Sequence, residues 1–246
     1  MPQEILGVIP ARYASSRFPG KALALIAGKT MLQHVCERAG RARSLSRLVI
    51  ATDDERIFQA ARSFGATAWM TRADHASGTD RTAEVAAADG ASVIVNIQGD
   101  EPLIDPEAID AAVGGLMESG DSPMGTLKKR IEDPDELLNP NVVKVVTDRK
   151  GNAIYFSRSA IPYVRSGEAA HYKHIGLYVY RKDFLLGYSA LPVGPLEEAE
   201  KLEQLRALEN GYRIRVVETG YESLGVDTPE DLRRVSALVE ESLAAR

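Results

Sequence analysis

The chain has 246 residues, with 30 Lys plus Arg against 35 Asp plus Glu and a formal net charge of −5. At roughly 150 residues per domain this is one large domain or two small ones, able to bury about 70% of its unfolded surface without staples. With 44% hydrophobic and 26% charged residues, disorder, collagen and fibres are excluded, and the acidic total disfavours a dedicated nucleic-acid binder. The single cysteine, Cys36, can form no internal disulfide, so a cytoplasmic setting and a buried, inert thiol are expected. The longest apolar stretch, Val85 to Ile97, is broken by Asp89 and Gly90, short of the about 18 residues a membrane span needs. Met1-Pro2-Gln3-Glu4 lacks the positive start of a signal peptide, so neither membrane insertion nor export is expected.

In chain order, apolar β-branched runs predict strands at Ile5–Ile9, Leu48–Ala51, Thr67–Met70 and Val93–Ile97. Between them, apolar residues at helical spacing predict helices over Met31–Ala42, Glu55–Phe64 and Asp80–Ala88. This alternation is the signature of βαβ units and a parallel sheet, hence an α/β fold. Capping boxes are expected at Thr52-Asp53-Asp54-Glu55 and Ser77-Gly78-Thr79-Asp80, and another helix after Pro106. Past Gly120, strands are predicted near Met124–Lys128, Val142–Thr147, Ala153–Phe156 and Ile175–Tyr180. Residues 121–181 thus read as a β-rich elaboration of a single domain over 1–246. Helices return at Phe184–Tyr188, Leu196–Glu209 and Pro229–Leu243, with a strand at Ile214–Glu218. No repeat, low-complexity tract or long linker occurs.

Charge is unevenly distributed. The 32 residues from Ile5 to Cys36 contain no Asp or Glu and four cations, Arg12, Arg17, Lys21 and Lys29, so the rest of the chain carries −9. This segment runs from the first predicted strand into the loop that follows it, where an open α/β sheet places its ligand crevice. Arg grips phosphate oxygens bidentately and Lys acts as a point charge, so a polyphosphate is the expected ligand; a solvated basic loop is the alternative. Two familiar phosphate motifs fail. Gly28-Lys29-Thr30 ends like a P-loop, but Leu23 stands where its first glycine belongs, and the dinucleotide fingerprint finds only Gly20 in the loop.

A second constellation, Asn96-Ile97-Gln98-Gly99-Asp100-Glu101-Pro102, ends the most hydrophobic predicted strand. A carboxylate there suits Mg²⁺, which takes one or two protein carboxylates and completes its shell with water and substrate phosphates. Asp227, in Gly225-Val226-Asp227-Thr228-Pro229, is a second candidate. For both, a turn or helix-cap role is the plainer alternative. In the strand His174–Tyr180, alternation puts His174, Gly176, Tyr178 and Tyr180 on one face, either to receive a hydroxylated ligand or as solvated aromatics of an edge strand. Arg158 could neutralise an acidic ligand or pair on the surface, the reading that pattern alone favours, and Glu203 and Gln204, near Glu197, Glu198 and Glu200, read as a solvated helix face.

Nine ordered motifs, IPARYASSRFPGK, ATDD, HASGTDRTAEV, NIQGDEPLI, NPNVVKVV, YFSRSAIP, HIGLYVYR, LEQLRALENG and GVDTPEDL, span the chain from about Val8 to Val235. Together they closely resemble the 3-deoxy-manno-octulosonate cytidylyltransferase (CMP-KDO synthetase) family. The resemblance implies a Rossmann-like, three-layer nucleotidyltransferase fold with a mostly parallel central sheet, and a homodimer with contacts from 121–181. It also implies transfer of CMP from CTP to the acidic sugar KDO, with release of pyrophosphate, for lipopolysaccharide assembly. Carried over residue by residue, Arg12 and Lys21 would meet the CTP phosphates with Ser15 assisting, and Ala11, Arg81 and Gln98 would belong to the cytidine pocket. Asp100 and Asp227 would hold magnesium, so that Arg12, Lys21, Asp100 and Asp227 form the catalytic set. Arg158, His174, Tyr178, Glu203 and Gln204 would bind KDO. Phe18 stands where the family has Leu and Ala22 where it has Pro. The rival readings are a cytidylyltransferase for sialic acid or an amino analogue of KDO, and a non-catalytic nucleotide-sugar sensor.

Overall fold

The protein is described from a computed structural model covering residues 3–14 and 18–244. In chain order the strands and helices are β1 (Ile5–Ala11), β2 (Leu25–Ile26), β3 (Lys29–Thr30), α1 (Met31–Ala39), β4 (Arg47–Thr52), α2 (Glu55–Ser63), β5 (Ala68–Met70), α3 (Gly78–Ala88), β6 (Val93–Asn96) and α4 (Pro106–Glu118). They continue as β7 (Met124–Arg130), α5 (Pro134–Leu138), β8 (Lys144–Thr147), β9 (Ala153–Ser157), β10 (Tyr172–Arg181), α6 (Lys182–Tyr188), α7 (Pro195–Glu200), α8 (Leu205–Glu209), β11 (Ile214–Glu218) and α9 (Pro229–Ala244). Contacts divide the chain into two compact units, Met1–Asp110 with Ser223–Arg246, and Ala111–Glu222.

In the first unit the sheet order is β6-β1-β4-β5, all parallel. Strand β1 is buried along nearly its whole length, and all four residues of β6 are buried. That is why both read as unbroken apolar runs rather than alternations. A second cluster packs Ile26 and Met31 against Val226, Val235 and Val239, with Phe18, Leu103, Leu224 and Leu232 around them. It fastens α9, from the far end of the chain, to the loop after β1. In the second unit β7 lies between β11, which runs parallel to it, and β10, which runs antiparallel. Strand β8 pairs with β10 and with β9, antiparallel to both. The α/β class expected from the alternation is the one observed.

Local signals held where side-chain chemistry is explicit. Ser77 and Asp80 form the expected reciprocal capping box at α3. At α2 the cap is instead Asp54, whose carboxylate accepts from Arg56 N–H, while the Thr52 hydroxyl accepts from Asp54 N–H. The helix therefore starts two residues later than the Thr52 box implied. Helix α1 stops at Ala39, before the expected end at Ala42, with Gly40 as its cap. The single helix expected over Leu196–Glu209 is two helices, α7 and α8, parted at Lys201, whose φ of 52° is left-handed. The short helix α5 and the β2–β3 hairpin had no periodic signal long enough to read. Cys36 is half-buried rather than buried; burial, with the neighbouring Glu37 charge, pushes its thiol up to about 11, which keeps it protonated and inert. No helix among the described residues is long and apolar enough to cross a membrane.

Candidate active site

The first unit holds a cleft of about 510 Å³ beyond the carboxyl ends of β1 and β6. Its lining includes Ala11, Arg12, Lys21, Arg81, Gln98, Asp100 and Asp227, so one cavity gathers these seven nucleotide and metal candidates. Ser15 and Arg17 fall outside the described residues. Pro10, His75, Ser77, Gly78 and Gly99 also line the cleft and were not singled out, although the HASGTDR and NIQGDEP motifs contain all but Pro10.

Backbone proximity shapes this cavity. A Cβ on Gly99 would stand 3.0 Å from the Pro10 carbonyl oxygen, so a side chain there would press the chain after β6 away from the end of β1. Gly20 sits at φ 72° and donates its N–H to the Tyr13 carbonyl at 2.9 Å, closing the cationic loop; a Cβ there would press on the Tyr13 ring. The guanidinium of Arg56 stacks on the other part of this anchor, 3.3 Å from the Tyr13 ring centroid. Immediately after Gly20, the chain makes a 3₁₀ turn over Lys21–Leu23, which fixes the Lys21 backbone.

Neither candidate carboxylate serves as a helix cap. Helix α9 is capped by Thr228, whose hydroxyl accepts from Asp231 N–H while the Asp231 carboxylate accepts from Thr228 N–H. Helix α4 has Asp105 before it, accepting from Glu107 N–H. Asp100 and Asp227 instead converge on Lys21, whose Nζ lies 2.6 Å from Asp100 Oδ2 and 3.0 Å from Asp227 Oδ1. It also donates to the Val226 carbonyl at 3.1 Å. Burial pulls the Lys21 ammonium down, but the charges and hydrogen bonds of the two carboxylates outweigh it and its pKa is raised. Two hard carboxylate oxygens already arranged about one cation are a donor set that fits Mg²⁺. No group of three or more His, Cys, Asp or Glu suited to a metal occurs among the described residues; an ion here would complete its shell with water or with oxygens from a ligand. Arg81 is buried, held by Thr71 Oγ1, the Arg72 carbonyl and, at 3.1 Å, Asp53 Oδ1. These bonds orient its guanidinium in the cleft wall.

The second unit contains the candidates for the sugar. Strand β10 pairs with β7 and, at Lys173, with β8, and none of its residues is exposed, which removes the solvated-aromatic alternative. Residues 173, 175, 177 and 179 are buried, and His174, Gly176 and Tyr178 on the other face are half-buried. Tyr180, expected on that more open face, is buried. Phe156, His174, Tyr178 and Tyr180 form a row with successive ring centroids 4.9, 5.5 and 6.1 Å apart. Tyr178 donates its hydroxyl to Gln204 Oε1 at 3.3 Å. Gln204 is buried at the start of α8, which corrects the solvated-face reading. Glu203 is half-buried, and burial together with its charge raises the Tyr178 hydroxyl well above its ordinary value. Arg158 is no loose surface residue: its Nε donates to the Glu200 carbonyl at 2.7 Å and its Nη1 to the Pro140 carbonyl at 2.9 Å. Glu200 in turn accepts from Ser157 Oγ and Arg158 N–H. Lys144, fully buried and missed in the sequence, fastens the same turn by donating to the Asn139 and Val142 carbonyls.

His174 bonds Thr126 Oγ1 at 2.9 Å, and that hydroxyl lies 3.0 and 2.8 Å from the Ile175 and Leu177 carbonyls. Carbonyls only accept, so the hydroxyl proton goes to them and His174 Nε2 donates, leaving Nδ1 as an acceptor. Burial lowers the ring to about 3 from 6.5, so it stays neutral. The unfolded chain binds a proton at this ring between those two values and the folded chain does not, so stability should fall as pH drops through that window. Urea titrations from pH 7 to 4 should show a shallower acid-side loss for His174→Gln than for wild type; equal slopes would count against a neutral buried ring.

A parallel α/β unit whose strand ends bring a cationic loop to two converging carboxylates is an arrangement suited to a nucleotide, and likeness to known proteins identifies the class as a nucleotidyltransferase. The sequence model of the family described as cytidylyltransferase matches residues 6–214. A 3-deoxy-manno-octulosonate cytidylyltransferase of Solibacter usitatus is 70% identical over 99% of this chain and 97% of its own, and one of Geobacter sulfurreducens is 59% identical over 94% and 97%. The solved structure of CMP:2-keto-3-deoxy-manno-octonic acid synthetase complexed with CTP superposes with a TM-score of 0.94 at 45% identity, covering 97% of this chain and 99% of that one. A 4-diphosphocytidyl-2C-methyl-D-erythritol synthase from Anaerococcus prevotii, 14% identical with a TM-score of 0.65 over 97% and 99% of the chains, shares the fold. The chain belongs to the 3-deoxy-manno-octulosonate cytidylyltransferase family.

Proposed function

We propose that the protein transfers CMP from CTP to the anomeric hydroxyl of KDO. The hydroxyl oxygen attacks the α-phosphorus in line and gives up its proton to solvent, the bond from that phosphorus to the oxygen bridging to the β-phosphate breaks, and pyrophosphate leaves. The observation that carries this reading is the convergence of Asp100 and Asp227 in a cleft whose loop contains no acidic residue. CTP brings about four negative charges and the sugar carboxylate one more, so the protein's task is mostly charge neutralisation and alignment. Arg12 and Lys21 meet the phosphates, while Ala11, Arg81 and Gln98 receive the cytidine. Magnesium, when held by Asp100 and Asp227, supplies Lewis-acid charge to the phosphate oxygens. In the second unit, the His174 Nδ1 acceptor, Tyr178, Gln204 and Glu203 suit the sugar hydroxyls, and Arg158 its carboxylate. The lone Cys36, which can form no internal disulfide, supports a cytoplasmic enzyme. Exposed Leu138, Ile154 and Tyr163 support a homodimer.

Pyrophosphate release measured with CTP and Mg²⁺ should be fast with KDO, slow with sialic acid, and absent without sugar or with UTP replacing CTP. Sedimentation of the same preparation should give twice the chain mass. Equal rates with sialic acid would transfer the assignment to another acidic sugar, and binding without turnover would make the protein a sensor.

A further inference from the structure

We propose that Lys21 is an internal competitor for the cation site, so that nucleotide and divalent metal bind cooperatively by displacing it. The inference deepens the proposed function and rests on its assignment of Asp100 and Asp227 as the metal-holding pair. An ammonium has three N–H donors and no acceptor. At Lys21 all three are matched, by Asp100 Oδ2, Asp227 Oδ1 and the Val226 carbonyl. In this arrangement Lys21 can neither reach for a phosphate oxygen without giving up a partner nor admit a second cation between the same carboxylates without like-charge repulsion.

The two displacements help one another. A phosphate that draws the ammonium away removes a positive charge from between the two carboxylates, which raises their affinity for a divalent ion. An ion that takes the carboxylates leaves the ammonium without its partners, which raises its affinity for phosphate. Such coupling is reciprocal by thermodynamic necessity. The backbone need not move, because Gly20 and the 3₁₀ turn hold it and the travel is confined to the Lys21 side chain, itself only 17% exposed. The coupling keeps the acidic pair partly neutralised by the chain itself, so that metal loading is favoured once the nucleotide is present.

The test uses Mn²⁺ alone, with no nucleotide or sugar, and reads free Mn²⁺ by electron paramagnetic resonance in the full-length protein. Lys21→Met and Lys21→Gln should each bind Mn²⁺ about tenfold more tightly than wild type, and adding Asp100→Asn should abolish the gain. Unchanged or weaker binding in both lysine variants, or a gain that survives Asp100→Asn, overturns the proposal. A second readout needs no variant. In wild-type protein with ¹⁵N-labelled lysine, titrated Mg²⁺ should shift the Lys21 ammonium resonance, and a resonance unmoved at saturating Mg²⁺ also overturns the proposal. Because no substrate enters either measurement, a failure here is distinct from failure of the proposed reaction, which the pyrophosphate assay reads separately.

Discussion

Asp100→Asn and Asp227→Asn are each expected to lower kcat by about 10²- to 10³-fold, roughly 3 to 4 kcal/mol of transition-state stabilisation, while leaving the chain folded. The amide keeps the size and most of the shape of the carboxylate but removes the charge that a cation needs. The fold tolerates the change because neither side chain is in the core; Asp100 is 29% exposed and Asp227 44%. Lys21 retains the Val226 carbonyl as a partner in either variant. Circular dichroism and thermal unfolding test the fold, and pyrophosphate release tests the chemistry. A folded variant with near wild-type release would remove the assignment of that carboxylate.

The second large effect is on stability. Arg206 donates from Nε and Nη2 to both carboxylate oxygens of Glu197, at 2.8 and 2.6 Å, and the Glu197 and Arg206 side chains are 11% and 15% exposed. This fork joins α7 to α8 across the break at Lys201, and Glu209 reinforces it by accepting from Leu196 N–H and Glu197 N–H at the start of α7. Arg206→Met strands a mostly buried carboxylate and should cost about 3 kcal/mol in urea unfolding. Combining it with Glu197→Gln should recover part of that loss, because the pair is coupled. Glu203 and Gln204 lie directly before α8, and Tyr188 fixes the Glu203 carbonyl at 2.7 Å. The same variant should therefore raise the KM for the sugar more than that for CTP. A loss under about 0.5 kcal/mol would place the pair among surface ion pairs of little consequence.

Much of the first unit was legible because its signals are local. An acid-free loop after an apolar strand, a glycine at the end of another and a Ser-x-x-Asp box are all readable one segment at a time, and they correspond to the cleft, its close strand approach and the cap of α3. The second unit was less legible because its decisive facts are pairings between distant segments. The acidic run around Glu197–Glu200 reads as solvated until Arg206 and Ser157 are found against it. Gln204 looks exposed until the helix breaks at Lys201, a non-glycine residue in a left-handed conformation that no composition announces. Lys144 has the opposite problem: nothing in a strand-like NVVKVV run says that its ammonium will be satisfied by two carbonyls alone. For Asp100 and Asp227, spacing could not decide between cap and ligand. The observed caps, Asp105 and Thr228, leave both carboxylates to the cleft.

The Val226 N–H donates to the Asp100 carbonyl at 2.9 Å, splicing a late segment of the chain beside an early one. In the order of synthesis, the loop, the sheet and Asp100 are all made well before Asp227 leaves the ribosome. Everything from Ala111 to Glu222 must be translated in between. The first unit is thus discontinuous in time as well as in sequence, and its site is closed by a contact of high sequence separation, the kind that forms late and slowly in folding. A nascent chain stalled anywhere in the second unit carries the cationic loop and Asp100 but not Asp227, so the carboxylate pair about Lys21 is completed last.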